Sequence, residues 1–157
     1  ICTHGKLHLK ANELNEKELC EEFDEDVSNL KELFNTEITG AAYAFGVYSD
    51  EVVNHLKNIG ICFARTVKST HNFDIQTDLL RFNPTCSFSD SEIFNLSEKF
   101  LTSNPDTPQI FYIWGHSYEL DGNDLWEHME RLCKMLSGKD DVLYGTNTEV
   151  FRYFNLI

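Results

Sequence analysis

The chain has 157 residues, of which 41% are apolar and 13% aromatic, and its formal net charge is −13. We expect one domain, 1–157, with a single core. The charge argues against nucleic acid or an anionic membrane as a partner, because like charges repel at long range. No apolar run is long enough to span a bilayer, so the sequence predicts a soluble protein with no membrane partner.

The first predicted element is a helix over 15–34. Its apolar residues recur every three or four positions, as expected for one helix face: Leu19, Phe23, Val27, Leu30 and Phe34. Asn15 followed by Glu18 resembles a capping box at its start. Eight carboxylates lie between Glu13 and Asp26, and we expect them to form a solvated helix face.

Short apolar segments alternate with segments of helical periodicity through the rest of the chain. The predicted strands are 39–45, 61–64, 79–82, 109–114 and 142–144. The predicted helices are 49–59, 91–101, 124–136 and a short one after Asn147. This alternation is typical of an α/β fold with a largely parallel sheet and helices outside it. Functional residues of such folds gather at the carboxyl ends of the strands.

His4 and His8 follow the apolar start of the chain, with Gly5 able to turn the backbone between them. Two neutral imidazoles at this spacing suit zinc, cobalt or nickel. Two surface histidines without a metal are the competing interpretation.

His116 comes one residue after Gly115, at the carboxyl end of the predicted strand 109–114. A histidine there can act as a general acid or base, or it can satisfy a buried loop carbonyl. Tyr43 and Phe45 end another strand, where they either line a pocket or pack as a strand terminus. His55 and His128 are expected to be solvated, and for His71 both interpretations stay open.

The five cysteines are scattered without a CxxC pair: Cys2, Cys20, Cys62, Cys86 and Cys133. An odd number without a disulfide framework indicates reduced thiols, and it argues against a cysteine zinc site. Reduced thiols favour a cytoplasmic location.

Several segments together resemble motifs of the polysaccharide deacetylase (NodB-homology) family of carbohydrate esterases. The principal ones are HGKLH at 4–8, YAFG at 43–46 and FYIWGH at 111–116. Further similar segments are DEVV at 50–53, ARTVKST at 64–70, RFNPTC at 81–86 and GKDD at 138–141. The resemblance therefore runs over nearly the whole chain.

The resemblance implies an incomplete, distorted (β/α) barrel and a hydrolase that removes N- or O-acetyl groups from an acetylated carbohydrate with a divalent metal, most often zinc. It assigns His4 and His8 as metal ligands and His116 as the catalytic acid. It gives the Phe45 backbone N–H the role of an oxyanion donor and places Ile113 in the wall of the acetyl pocket. The neighbouring Tyr43 and Trp114 are expected as further substrate contacts. Many members of the family act at the cell envelope, so that location stays open beside the cytoplasm.

Two departures from the family pattern bear on activity. An Asp-Asp pair, which supplies the base and the acidic metal ligand, is expected before His4, so we expect this chain to lack the first strand and to hold an incomplete metal site. Ala42 and Ala44 stand where many members have Arg and Pro. The alternatives are therefore a catalytically inactive binding or interaction module of the same fold and a plain α/β domain with chance histidines. An exposed sheet edge would favour a homo-oligomer.

Overall fold

The structure of the protein is a computed structural model that describes residues 1–157. The chain forms two compact units, which are described separately below. The first unit comprises Ile1–Val67, Gln76–Asn83 and Tyr144–Ile157. The second unit comprises Lys68–Ile75 and Pro84–Leu143.

The first long element of the first unit is the helix that the apolar spacing predicts. Helix α1 (Glu16–Leu19) continues through a π-helical turn (Cys20–Asp24) into α2 (Glu25–Phe34). The Asn15 side chain accepts the Glu18 N–H and the Glu18 carboxylate accepts the Asn15 N–H, which confirms the capping box. The π-helical turn was not predicted, since one extra residue in a turn leaves the apolar spacing nearly unchanged.

Two parallel strands lie beside this helix in the first unit. Strand β1 (Gly40–Ala42) pairs with β2 (Phe63–Arg65), and helix α3 (Asp50–Asn58) connects them. Thr3 adds a bridge to Ala41 on one side, and Phe82 adds one to Arg65 on the other. Helix α7 (Asn147–Tyr153) packs Phe151 against the rings of Phe63 and Phe82.

The second unit repeats the combination of a parallel strand pair and helices. Strand β3 (Cys86–Ser87) pairs with β4 (Ile113–Trp114). Its helices are α4 (Ile93–Thr102), α5 (Tyr118–Gly122) and α6 (Trp126–Leu136). Its core includes Phe73, Cys86, Phe88, Ile93 and Leu132.

The parallel pairs and the surrounding helices confirm an α/β fold, and the barrel stays a prediction. The strands form two separate two-stranded sheets. The strand predicted over 79–82 is wrong, because Leu79–Arg81 is a 3₁₀ turn and only Phe82 makes a bridge. The strand predicted over 142–144 is also wrong, since those residues belong to no regular element. A short apolar run predicts burial without fixing the backbone conformation.

No helix in the structure is both long enough and apolar enough to cross a membrane.

Candidate functional site

The histidine loop, residues 4–8, leaves the sheet of the first unit at Thr3. The Thr3 N–H donates to the Gly40 carbonyl at 2.9 Å, and the Thr3 carbonyl accepts the Ala42 N–H at 3.0 Å. Gly5 then adopts φ 82°, a left-handed conformation that favours glycine. The chain therefore turns sharply between His4 and His8, as the sequence predicts.

The His4 ring is held by the end of strand β1. Its Nδ1 atom lies 2.7 Å from the Ala42 carbonyl oxygen. A carbonyl only accepts hydrogen bonds, so Nδ1 carries the proton and the Nε2 lone pair is left for a metal. Metal-binding histidines commonly have this arrangement, because the second hydrogen bond fixes the tautomer and the orientation of the ring.

His8 lies beside His4, with 4.7 Å between the two ring centroids. Its other neighbour is the Phe45 ring, whose centroid is 4.6 Å away in an edge-to-face contact. His8 and Phe45 have φ angles of 57° and 56°, in a region that non-glycine residues rarely adopt. Such conformations persist only where the surroundings hold them, and they are common at functional sites.

Glu22 supports the histidine loop from the long helix, and the sequence analysis missed it. Its side chain is only 2% exposed, and its carboxylate accepts the N–H groups of Leu7 and Leu9, each at 3.0 Å. A Cβ atom added to Gly5 would lie 2.2 Å from Glu22 Oε1, so the carboxylate also requires a glycine there.

Asp26 supports the start of the same loop, since its Oδ2 accepts the Thr3 hydroxyl at 2.5 Å. The prediction that the acidic run is a wholly solvated face is therefore wrong at Glu22 and at Asp26. A signal was present in the sequence, because each carboxylate lies three residues after a core residue (Leu19 or Phe23) and so falls inside the apolar face.

Tyr43 and Phe45, the two predicted contacts at the end of β1, differ in exposure. The Phe45 ring is 59% exposed beside His8. Tyr43 is only 1% exposed, donates its hydroxyl to the Leu80 carbonyl at 2.7 Å and stacks on Tyr48. Burial raises the pKa of Tyr43 well above its usual value. Its role as a substrate contact stays a prediction that this burial does not favour.

His116 lies in the second unit, at the carboxyl end of β4, where the sequence predicted it. Gly115 lets the chain pass the Phe88 ring, since a Cβ atom there would lie 2.1 Å from that ring. His116 Nδ1 then lies 2.5 Å from Glu119 Oε1. Because a carboxylate accepts the Nδ1 proton, Nε2 is the atom available for proton transfer.

Aromatic side chains surround the His116 ring. Trp114 meets its edge at a centroid distance of 5.6 Å, and Tyr118 stacks on it at 5.1 Å. Ile113 and Trp114 are half-buried, whereas Tyr118 is 71% exposed. Sequence reasoning missed Tyr118 and Glu119 as partners of His116. The signal was Glu119 three residues after His116, at the start of the unpredicted helix α5.

The remaining histidines are all paired. His55 Nε2 lies 2.6 Å from Asp24 Oδ1, and His128 Nε2 donates to the Phe88 carbonyl at 2.7 Å. The prediction that both are solvated is wrong, because each is half-buried against a partner from another element. His71 Nε2 lies 2.8 Å from Asp90 Oδ2.

Cys20 joins the pair of Asp24 and His55. One potential ligand atom from each of the three side chains lies within 4.8 Å of the others, and this is the one such group of three in the structure. Partial desolvation and the Asp24 carboxylate raise the pKa of the Cys20 thiol. A thiol kept protonated in this way is a poor nucleophile.

Comparison with known proteins adds no relative: no family model matches this chain, and no curated protein matches it either. A functional assignment therefore depends on the residues themselves. Within the first unit, the structure brings together His4, His8 and Phe45. Within the second unit, it brings together Trp114, His116 and Glu119.

Proposed function

We propose that the protein is a metal-dependent carbohydrate deacetylase that hydrolyses N- or O-acetyl groups, with its strands and helices arranged as an incomplete, distorted (β/α) barrel. The observation that supports this most strongly is the state of His4. Its Nδ1 proton is donated to the Ala42 carbonyl, so its Nε2 lone pair is available beside the His8 ring. A fixed tautomer of this kind orients the ring for metal binding.

The residues of the histidine loop fit two ligand positions of a divalent metal. His4 and His8 would hold it, and imidazole nitrogen suits zinc, with cobalt or nickel as substitutes. The nearby Glu22 carboxylate is engaged by the Leu7 and Leu9 N–H groups, so we assign it to the support of the loop. When bound, the ion would supply Lewis-acid chemistry that polarises an acetyl carbonyl.

We assign the general acid to His116. A leaving amine must be protonated as the carbon–nitrogen bond breaks, and imidazole is suited to that transfer near neutral pH. The Glu119 carboxylate holds Nδ1 and favours a positive ring during the transfer, which leaves Nε2 to exchange the proton.

We assign recognition of the sugar and its acetyl group to residues near these histidines. Phe45 offers an exposed ring next to His8, and the family resemblance gives its backbone N–H the role of an oxyanion donor. Ile113 and Trp114 would contact the acetyl group. The exposed ring of Tyr118, stacked on His116, is a further surface on which a sugar can pack.

The second candidate is a non-catalytic module of the same fold that binds an acetylated carbohydrate. Ala42 and Ala44 favour it, because they lack the polar groups that would hold a catalytic base. This candidate keeps the exposed aromatic rings and requires no proton transfer by His116.

Calorimetry with Zn²⁺ tests the proposal directly. We expect the chain to bind zinc through the histidine loop, and we expect a His4→Ala/His8→Ala variant to lose that binding. His71→Gln is the matched control, because it removes a surface histidine in the second unit. An equal number of bound zinc ions, at equal affinity, in the wild type and the double variant would reject the assignment of His4 and His8.

Acetate release from an acetylated chitooligosaccharide then separates the enzyme from the binding module. We expect weak release from this chain, lost in His116→Asn and on chelation of the metal. Binding of the oligosaccharide with no release would favour the module. Absence of both would reject both candidates.

A further inference from the structure

We propose a second metal site in the first unit, formed by Cys20, Asp24 and His55, that takes Zn²⁺ and binds α3 to the long helix. It involves none of the residues assigned to deacetylation, so it does not depend on that assignment. Sequence analysis argued against a cysteine zinc site because no CxxC pair is present. The structure instead supplies one thiol, one carboxylate and one imidazole from two helices.

The geometry of the three side chains is close to that of a zinc site. Their ligand atoms all lie within 4.8 Å of one another. Ligands of a tetrahedral zinc ion, bound at about 2.0–2.3 Å, lie roughly 3.3–3.8 Å apart. His55 Nε2 and Asp24 Oδ1, now 2.6 Å apart, would have to separate slightly to admit the ion. Rotation of the Asp24 carboxylate provides this movement.

The backbone holds the three residues in place before any metal binds. Cys20 and Asp24 are the first and last residues of the π-helical turn, where the Glu25 N–H donates to the Cys20 carbonyl. Such turns are rare and occur often at functional sites. Leu19 and Phe23 of this helical segment share one core with Val52 and Leu56 of α3, which fixes the two helices against each other.

The chemistry of the three groups selects zinc over calcium or magnesium. Zn²⁺ prefers imidazole and thiolate ligands and displaces the thiol proton when it binds a cysteine, whereas Ca²⁺ and Mg²⁺ require oxygen ligands. The His55 side chain is 14% exposed and that of Asp24 is 42% exposed, so an ion can enter from solvent. Three protein ligands leave the fourth position of a tetrahedral ion to water.

A titration with Co²⁺ under reducing, anaerobic conditions tests the site, because thiolate ligation to cobalt gives a charge-transfer band in the near ultraviolet. We expect the wild-type chain to show this band, Zn²⁺ to abolish it by displacement, and Cys20→Ser to lack it. His55→Gln should weaken cobalt affinity at least tenfold. Cys62→Ser is the matched control, since Cys62 is an exposed cysteine outside the group, and it should keep the full band.

The His4→Ala/His8→Ala variant separates this site from the histidine loop. Retention of the charge-transfer band in that variant, together with a melting temperature raised by Zn²⁺, supports an independent site. The proposal is overturned if the wild type gives no band, or if Cys20→Ser gives the same band. Failure of zinc binding at the histidine loop alone would leave this band intact, so the two proposals fail separately.

Discussion

The histidine loop of the first unit and the His116 segment of the second unit use the same ring atom in different ways. His4 donates its Nδ1 proton to the Ala42 carbonyl, whereas His116 donates its Nδ1 proton to the Glu119 carboxylate. A neutral acceptor fixes the tautomer of the ring without adding charge, which suits a metal ligand. A carboxylate also stabilises the ring when it becomes positive, which suits a residue that carries a proton.

The two segments also differ in what holds their backbone. The histidine loop depends on a buried carboxylate, Glu22, that accepts two backbone N–H groups. The His116 segment is held by strand pairing, because the Phe88 N–H donates to the Trp114 carbonyl at 2.8 Å. Loss of the supporting group should therefore destabilise the histidine loop more than the His116 segment.

Gly5→Ala should give the largest effect. The new Cβ atom would overlap the Glu22 carboxylate and the residue would keep a φ near 82°, so we expect a loss of roughly 3 kcal/mol in the free energy of unfolding. We also expect zinc binding at the histidine loop to weaken at least tenfold. Chemical denaturation and calorimetry measure the two quantities.

Gly60→Ala is the control for this substitution. Gly60 has φ 90° but no neighbouring atom within 4 Å of an added Cβ. Gly60→Ala should therefore lower the free energy of unfolding only by the cost of the backbone conformation, about 1 kcal/mol. Equal losses in the two variants would show that the contact with Glu22 contributes nothing.

Glu22→Ala should give the next largest effect. We expect the free energy of unfolding to fall by about 2–3 kcal/mol, because the Leu7 and Leu9 N–H groups would lose their acceptor. Zinc affinity should fall with it, since the loop between His4 and His8 would lose its support. Glu21→Ala is the matched control on the exposed face, where the ion pair with Lys17 contributes at most about 0.5 kcal/mol. Normal zinc affinity in Glu22→Ala would show that metal binding by the histidine loop does not depend on support from Glu22.

Glu119→Ala should have a smaller effect on stability and a specific effect on the ring of His116. Loss of the carboxylate removes the acceptor of the Nδ1 proton, so the neutral ring should shift towards the Nε2–H tautomer. Long-range ¹H–¹⁵N correlation spectra measure the tautomer, with His4 as the internal reference because its partner is unchanged. An unchanged His116 spectrum would mean that Glu119 does not hold the ring.

Much of this fold could be predicted from sequence, because the amphipathic spacing of the long helix is regular and the Asn15 cap is local. The turn between His4 and His8 was also predictable, because Gly5 lies between them and adopts a left-handed conformation. The same reasoning failed at Glu22 and at His55. Their partners lie 13 or more residues away. The helical spacing indicates that Glu22 falls inside the apolar face, but it does not identify the groups that its carboxylate binds.

Short strands were the other failure. Residues 79, 80 and 82 are apolar, and Leu79 is buried as the pattern predicts, but Leu79–Arg81 forms a 3₁₀ turn. The strand Cys86–Ser87 has only two residues, too few for an alternating pattern to be recognised. Burial could be predicted at such positions, whereas strand pairing is decided by tertiary contacts.

Substitution in the pair of His71 and Asp90 should have the smallest effect on stability. The pair also serves as a control for His116. It is also a histidine–carboxylate pair in the second unit, at 2.8 Å. Partial desolvation raises the pKa of Asp90, but hydrogen bonds from the Glu92 N–H and the His71 ring outweigh it and hold that pKa below its usual value. Asp90→Asn should therefore lower the free energy of unfolding by less than about 1 kcal/mol at neutral pH.

The pH dependence of this loss follows from the direction of the Asp90 shift. A lowered pKa means that the ionised carboxylate stabilises the folded state above the unfolded value of about 3.9, and that this contribution is lost as the pH falls through the folded value. The stability difference between wild type and Asp90→Asn should thus be present at neutral pH and disappear in acid, as denaturation at several pH values measures. Acetate release should be unaffected, because His71 has no aromatic partner and no assigned substrate contact. If Asp90→Asn lost as much acetate release as His116→Asn, the assignment of the general acid to His116 and not to His71 would be contradicted.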